Sequence, residues 1–363
     1  MKSLLQTLVK MSSAIMPLLL ASSCVSYHYM TTDIHRDLSF DRTVYAGADS
    51  SDLADNGGRG AFMFSVDSLW SIFRLEKPFS VVADGENVLM NVSATRHFNS
   101  FSEKCFVPAS PEMEGNPLLF PQENVSRKFR WFFTEYRYNA AYARIDSLPV
   151  PLDRYLSPEE QRNFLLKVVV PEGSNGVELY NSLDKINTSF SRWINANVFT
   201  VAYGAIKGFL PPEQLAAAES EKEKVFSSMT KGDMLGWTPE EFCRQFDSLM
   251  AGAPFFHEVY VRNSSAIDSA YHESEKVLEY FSLSFENRVN LPGKVVRTDA
   301  PVLDDGTPVW KVDCYRLLYG DYELDAVSRE TNIWAIVLTF IILAAAIYFL
   351  LQSSGILKSK PEQ

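Results

Sequence analysis

The 363-residue sequence is poor in cysteine, histidine and positive charge, and each shortage removes a class of function. Four cysteines without a CxxC pair exclude a disulfide-dense scaffold and the usual structural zinc sites. His28, His35, His97, His257 and His272 stand singly, and neither His257 nor His272 has the second histidine that would place two ligands on one helix face. No metal site and no cofactor is expected. Formal charge is −11; the two ends carry +2 and +1, so residues 24–351 hold −14. Such acidity excludes nucleic acid as a partner, because tracking phosphates needs a basic surface. Neither a G-x-S-x-G elbow nor a phosphate loop occurs, and Ser182-Leu183-Asp184-Lys185 has S-x-x-K spacing without a following K-T-G. No catalytic residue is assigned.

Apolar residues are plentiful: 46% hydrophobic and 13% aromatic, enough for a large core. Two segments are too apolar for an ordinary surface. Residues 1–23 combine Lys2 and Lys10 with a short apolar run and small residues before Cys24, the pattern of a secretory signal. Ala21-Ser22-Ser23-Cys24 resembles the lipobox of bacterial lipoproteins, with alanine where leucine is usual, which makes Cys24 the acylation site. At the other end, Ile333 to Leu351 is an uncharged run of 19 residues, close to the roughly 20 needed to cross a bilayer. Trp334 and Tyr348 sit near its two ends, and Lys358 and Lys360 follow, placing residues 352–363 in the cytoplasm by the positive-inside rule. The expected location is the inner membrane, with a lipid anchor, a C-terminal span and the main domain on the periplasmic side.

Between the anchors the pattern predicts an α+β fold: an antiparallel sheet with a mostly helical insertion. Residues 24–60 read as a linker, with glycine, serine and acid in 46–60 and no periodicity. Residues 61–155 read as strand-rich. Phe79 to Thr95 forms a hairpin about Asp84-Gly85, and Phe129 to Tyr138 is a strand with aromatics on both faces. Residues 156–279 change period. A long helix through Leu183, Ile186, Phe190, Trp193 and Val198 ends near Gly208; others start at Pro212, at Thr238-Pro239 and near His257. Residues 280–330 complete the sheet with strands over Phe281–Leu291, Val309–Tyr315 and Tyr322–Ser328, the first alternating cleanly.

Cys105, Cys243 and Cys314 form one bridge with a spare thiol, or none. Four Asp-Ser-apolar triplets, at Ser68, Ser147, Ser248 and Ser269, resemble the O-glycosylation acceptor of exported proteins in Bacteroidota; helix capping by the aspartates is the other reading.

Phe281 to Leu291, then Pro292-Gly293-Lys294-Val295-Val296, Trp310-Lys311-Val312 and a span with a short basic tail resemble bacterial membrane-anchored lipoproteins of the LppM type. The resemblance implies a strand-rich exported domain with a hydrophobic groove. Trp131, Phe133 and Tyr136 are the candidate contacts of an apolar ligand there. The expected function is a non-enzymatic, membrane-tethered binding module whose partners are the bilayer and an envelope protein or lipid. The alternative is an envelope hydrolase using carboxylates from Glu135, Asp146, Glu159 and Glu160. Alkaline carbonate extraction checks the span: Cys24→Ala is expected in the membrane pellet, and its release would refute it.

Overall fold

The computed structural model describes residues 26–83, 86–146, 148–162, 165, 176–229, 231, 234 and 236–353. The chain runs β1 (Ser26–Ile34), β2 (Phe40–Ala46), α1 (Ser50–Asp55), β3 (Ser71–Ala83), β4 (Glu86–Phe98), β5 (Gln122–Phe129), β6 (Phe133–Tyr142) and α2 (Pro158–Gln161). Helices α3 (Gly176–Lys207), α4 (Pro212–Met229), α5 (Pro239–Leu249) and α6 (Phe256–Glu279) follow. After them come β7 (Leu283–Asn290), β8 (Lys294–Thr298), β9 (Val302–Asp304), β10 (Thr307–Asp313), α7 (Cys314–Leu317), β11 (Tyr322–Thr331) and α8 (Ile333–Ser353).

The fold is α+β, but the strands make two sheets where one was expected. Seven strands are ordered β3-β4-β2-β1-β7-β10-β9 and four are ordered β5-β6-β11-β8. Pairing is antiparallel except between β1 and β7, which run parallel from Ser26 opposite Leu283 to Asp33 opposite Asn290. The strands on either side of the helices therefore meet in both sheets, through β1–β7 and β6–β11. Phe40 and Val44 of β2 and Phe285 and Val289 of β7 share one core with Tyr138 and Ala140 of β6 and Leu324 and Ala326 of β11. The two sheets thus pack face to face.

The helical block has a second core. Helix α3 links the two: Phe190 and Trp193 lie in the sheet core, Val198 to Ile206 in the helical one. Two buried asparagines hold it in place. Asn197 accepts from the Val150 amide (2.9 Å), and Asn195 from the Met234 amide (3.1 Å). Thr238 and Glu241 form the reciprocal capping box that starts α5, as Thr-Pro-Glu-Glu suggests.

Three expectations need correction. Residues 24–60 are not a linker: β1 and β2 lie in the interior of the larger sheet, and α1 is capped by Asp49. Their alternation was hidden because buried positions are filled by His28, Thr32 and Arg42. Phe129 to Tyr138 is not one strand but the end of β5, a turn at 130–132 and the start of β6. Val309 to Tyr315 leaves the sheet at Cys314, where Asp313 caps α7 through the Arg316 amide. The Asp84-Gly85 turn lies outside the described residues, although Ala83 and Glu86 pair on either side of it. Cys105, Cys243 and Cys314 are all unbridged. Burial pushes the Cys105 and Cys243 thiols up to about 12, so both stay protonated and inert.

Between the sheets lies one charged bridge. Arg42 of β2 has no exposed surface, and its guanidinium donates to both carboxylate oxygens of Glu123 on β5, at 2.8 and 3.0 Å. Tyr138 donates to the same carboxylate at 2.7 Å, and Arg42 Nε donates to Thr32 at 3.1 Å. Every partner is needed, because a buried charge left unpaired is costly. Glu123→Ala is expected to lower unfolding free energy by about 3–5 kcal/mol. Arg42→Met combined with Glu123→Leu should recover most of it. Urea unfolding of the full chain in detergent measures both; a double variant as weak as the single one would contradict the account.

Candidate functional site

Helix α8 is, among the described residues, the one long and apolar enough to cross a membrane, with mean hydropathy 2.7 over its best window. Its side chains are exposed except at Ala335, which is buried, and Ile336 and Thr339, which are half-buried. At 1.5 Å per residue its 21 residues span about 31 Å, so a hydrocarbon layer of about 30 Å takes up nearly the whole helix.

The β5–β6 turn lies against the first part of this helix. Phe129 stacks on Trp334 (6.2 Å between centroids), and Trp131 meets the same ring edge-on at 5.6 Å. The Trp131 indole N–H donates to the Thr339 hydroxyl at 2.8 Å, and that hydroxyl donates to the Ala335 carbonyl at 2.7 Å. Thr339 lies six residues past Ile333, about 9 Å along the axis. If α8 crosses a bilayer it has no length to spare, and a side chain at that level would lie inside the apolar slab.

An irregular turn at such depth must have its backbone satisfied by protein. Asn332 does this. Its side-chain amide donates to the Arg130 carbonyl at 2.7 Å and more loosely to that of Trp131 at 3.3 Å, and its backbone amide donates to the Phe132 carbonyl at 2.9 Å. Thr134 donates to the Asn332 side-chain oxygen at 3.0 Å, and the Arg130 amide closes the turn on Phe133. Three consecutive turn carbonyls are thereby held by one residue at the mouth of the span. Arg127, Lys128 and Arg130 are exposed beside this turn. Neither Asn332 nor Thr339 was singled out by the sequence, though a polar residue within an apolar span is a usable signal.

The predicted ligand contacts do not form one groove. Trp131 faces α8. Phe133 lies under the Arg329 guanidinium, 4.6 Å from its ring centre, and Tyr136, on the opposite face of β6, is buried. The four candidate carboxylates are equally scattered. Glu135 pairs with Arg329 at 2.9 Å, Asp146 with Arg144, Glu160 closes the capping box of α2, and Glu159 is exposed in that first turn. Ser68, Ser248 and Ser269 are exposed, whereas Ser147 and Cys24 lie outside the described residues. Beside Ser248, Asp247 caps α6 by accepting from the amides of Phe255, Phe256 and His257 at 2.8–2.9 Å.

A cleft of about 590 Å³ lies between α5 and α6, lined by Trp237, Glu240, Tyr260, Ser269, Tyr271 and Glu275 among others. Burial raises the Glu275 carboxyl above its ordinary range. The Tyr271 hydroxyl donates towards the Trp237 carbonyl at 2.8 Å and towards Glu275 at 2.9 Å, so one hydrogen is shared between two acceptors.

The folded domain of Mycobacterium tuberculosis LppM, determined by NMR, is similar to this chain at 9% identity, with 85% of this chain and 92% of that one covered and a TM-score of 0.26. This is a weak fold-level resemblance and carries no functional argument. No family profile and no curated protein matches the chain.

Two outcomes are expected. Asn332→Ala removes the side-chain donor to the Arg130 and Trp131 carbonyls while leaving the backbone bond to Phe132, and is expected to raise hydrogen exchange at residues 130–134. Glu275 binds its proton more tightly folded than unfolded. Its contribution is therefore complete below the unfolded carboxyl pKa of about 4.3 and is lost as pH rises through the folded value. Glu275→Gln should raise thermal stability at pH 7 and flatten its pH dependence above about pH 4.3, an effect absent at pH 4.

Proposed function

We propose that the chain is an exported, membrane-tethered envelope module that binds a protein or lipid partner at the membrane surface, without catalysis. The observation that carries this reading is the clamp of Asn332 and Thr339 on the β5–β6 turn, because it joins the span to the folded domain without a flexible spacer. A domain so joined is presented in one attitude to the bilayer, with its aromatic turn in the outer apolar layer and Arg127, Lys128 and Arg130 among headgroups. The inner membrane and a periplasmic domain follow from the signal-like start and the basic tail.

A lipid on Cys24 adds a geometric condition. Cys24 is two residues from Ser26, while the far end of β1 leads to Arg36, which is paired with Glu330 just before the span. Strand β1 separates these points by about 26 Å. Both anchors reach one leaflet when β1 lies along the membrane surface. The exposed Ser68, Ser248 and Ser269 are open to glycosylation, which intact mass would reveal.

In liposomes with brominated acyl chains, tryptophan emission is expected to be quenched, and Trp131→Phe should remove a distinct share of that quenching. The same quenched amplitude with and without Trp131 would place the turn outside the bilayer and end the reading.

A further inference from the structure

Three side chains with metal-binding atoms converge on the outer face of the seven-stranded sheet. His35 follows β1 in the turn to β2, Asp41 is the second residue of β2, and His97 of β4 is directly opposite Asp41. Asp41 lies 2.9 Å from His35 Nε2 through one oxygen and 2.7 Å from His97 Nδ1 through the other. The ligand atoms all fall within 4.8 Å of one another, and the two imidazoles stack with centroids 6.1 Å apart. A tetrahedral ion with bonds of about 2.0–2.2 Å holds its ligand atoms about 3.3 Å apart, so small side-chain rotations suffice.

The charge around the cluster also calls for a cation. On the other side of Asp41 the residue directly opposite is Asp33, and like charges in register across strands repel. Among the described residues the Asn290 side-chain amide donates to Asp33, at 2.5 Å, and Asp37 adds another acid in the same turn. The adjacent arginines are committed elsewhere: Arg36 pairs with Glu330, and Arg42 is buried on the opposite face with Glu123. Asp41 has no lysine or arginine partner among the described residues. The strand ladder fixes two of the three ligands in advance, and the Thr43–Thr95 hydroxyl contact at 2.9 Å pins the register one pair further along that face.

We propose that His35, Asp41 and His97 form a binding site for a divalent transition metal of the zinc class, with the fourth position open to water or to a ligand from a partner. Two imidazoles and a carboxylate suit such ions and disfavour magnesium and calcium, which take all-oxygen sets. The site adjoins Arg36, whose carbonyl accepts from Arg127 at 2.8 Å, so it lies near the membrane-facing end. It does not depend on the function proposed above.

The test is calorimetric titration of Zn2+ into the tag-free full chain in neutral detergent at about pH 7.5. One equivalent is expected to bind with Kd of about 10 µM or tighter, and Mg2+ to give no heat. His97→Gln and Asp41→Asn should each weaken Zn2+ by at least about 10-fold with unchanged circular dichroism. His272→Gln, in the separate cluster with Glu275 and Glu279, should leave it unaltered. X-ray absorption at the zinc edge should show imidazole scattering that His97→Gln reduces. No saturable binding below about 100 µM, or an affinity that neither His97→Gln nor Asp41→Asn changes, overturns the site.

Discussion

Arg42 lies between the two sheets with no exposed surface, and its surroundings decide how those sheets can pack. A guanidinium in that position is tolerated only where carboxylate, hydroxyl and thiol partners meet it from several directions. They come from β1 (Thr32), β5 (Glu123) and the loop before β5 (Cys105), and Tyr138 of β6 shares the carboxylate. Sliding one sheet over the other by a single residue would carry the Glu123 carboxylate and Tyr138 away and leave the charge without its counter-ion. An apolar core tolerates many small shifts; this bridge tolerates few, and so selects one packing.

That packing matters because β6 and β11 carry it to the apolar helix. Strand β11 runs into α8 with Asn332 alone between them, and β6 pairs with it along its whole length, from Tyr142 opposite Tyr322 to Phe133 opposite Thr331. The β5–β6 turn is thereby delivered to the side of α8, where Asn332 takes its carbonyls and Thr339 takes the Trp131 indole. Register in the interior and the seat of the turn on α8 are thus one constraint.

Helices α3 to α6 were legible because each signal was local: a 3.6-residue apolar period, and Thr238-Pro239 or Pro212 at a first turn. Strands β7 and β11 were legible because polar and apolar residues alternate cleanly along them. β1 and β2 were not, since Arg42 and Thr32 of the buried bridge, and His28 against the Ala61 carbonyl, stand where apolar residues would mark the inner face. The turn at 130–132 was misread for a different reason. Exposed aromatic residues look the same in sequence as buried ones, so Trp131 and Phe132 extended the apparent strand. His35, Asp41 and His97 looked isolated because motif spacing detects ligands on one helix or loop, whereas these meet across strands 56 residues apart in sequence.

By itself the sequence determined the apolar C-terminal run, the helical block between two sets of strands and the acidic balance of the chain. These follow from composition and from period, which depend on residues within a few positions of one another. The tertiary structure alone decided that there are two sheets, that β1 pairs in parallel with β7, which aromatics lie against the span and which histidines share a carboxylate. Those outcomes depend on strand register between distant segments, and register is set by what the whole core can bury and by whether its one charged bridge finds every partner.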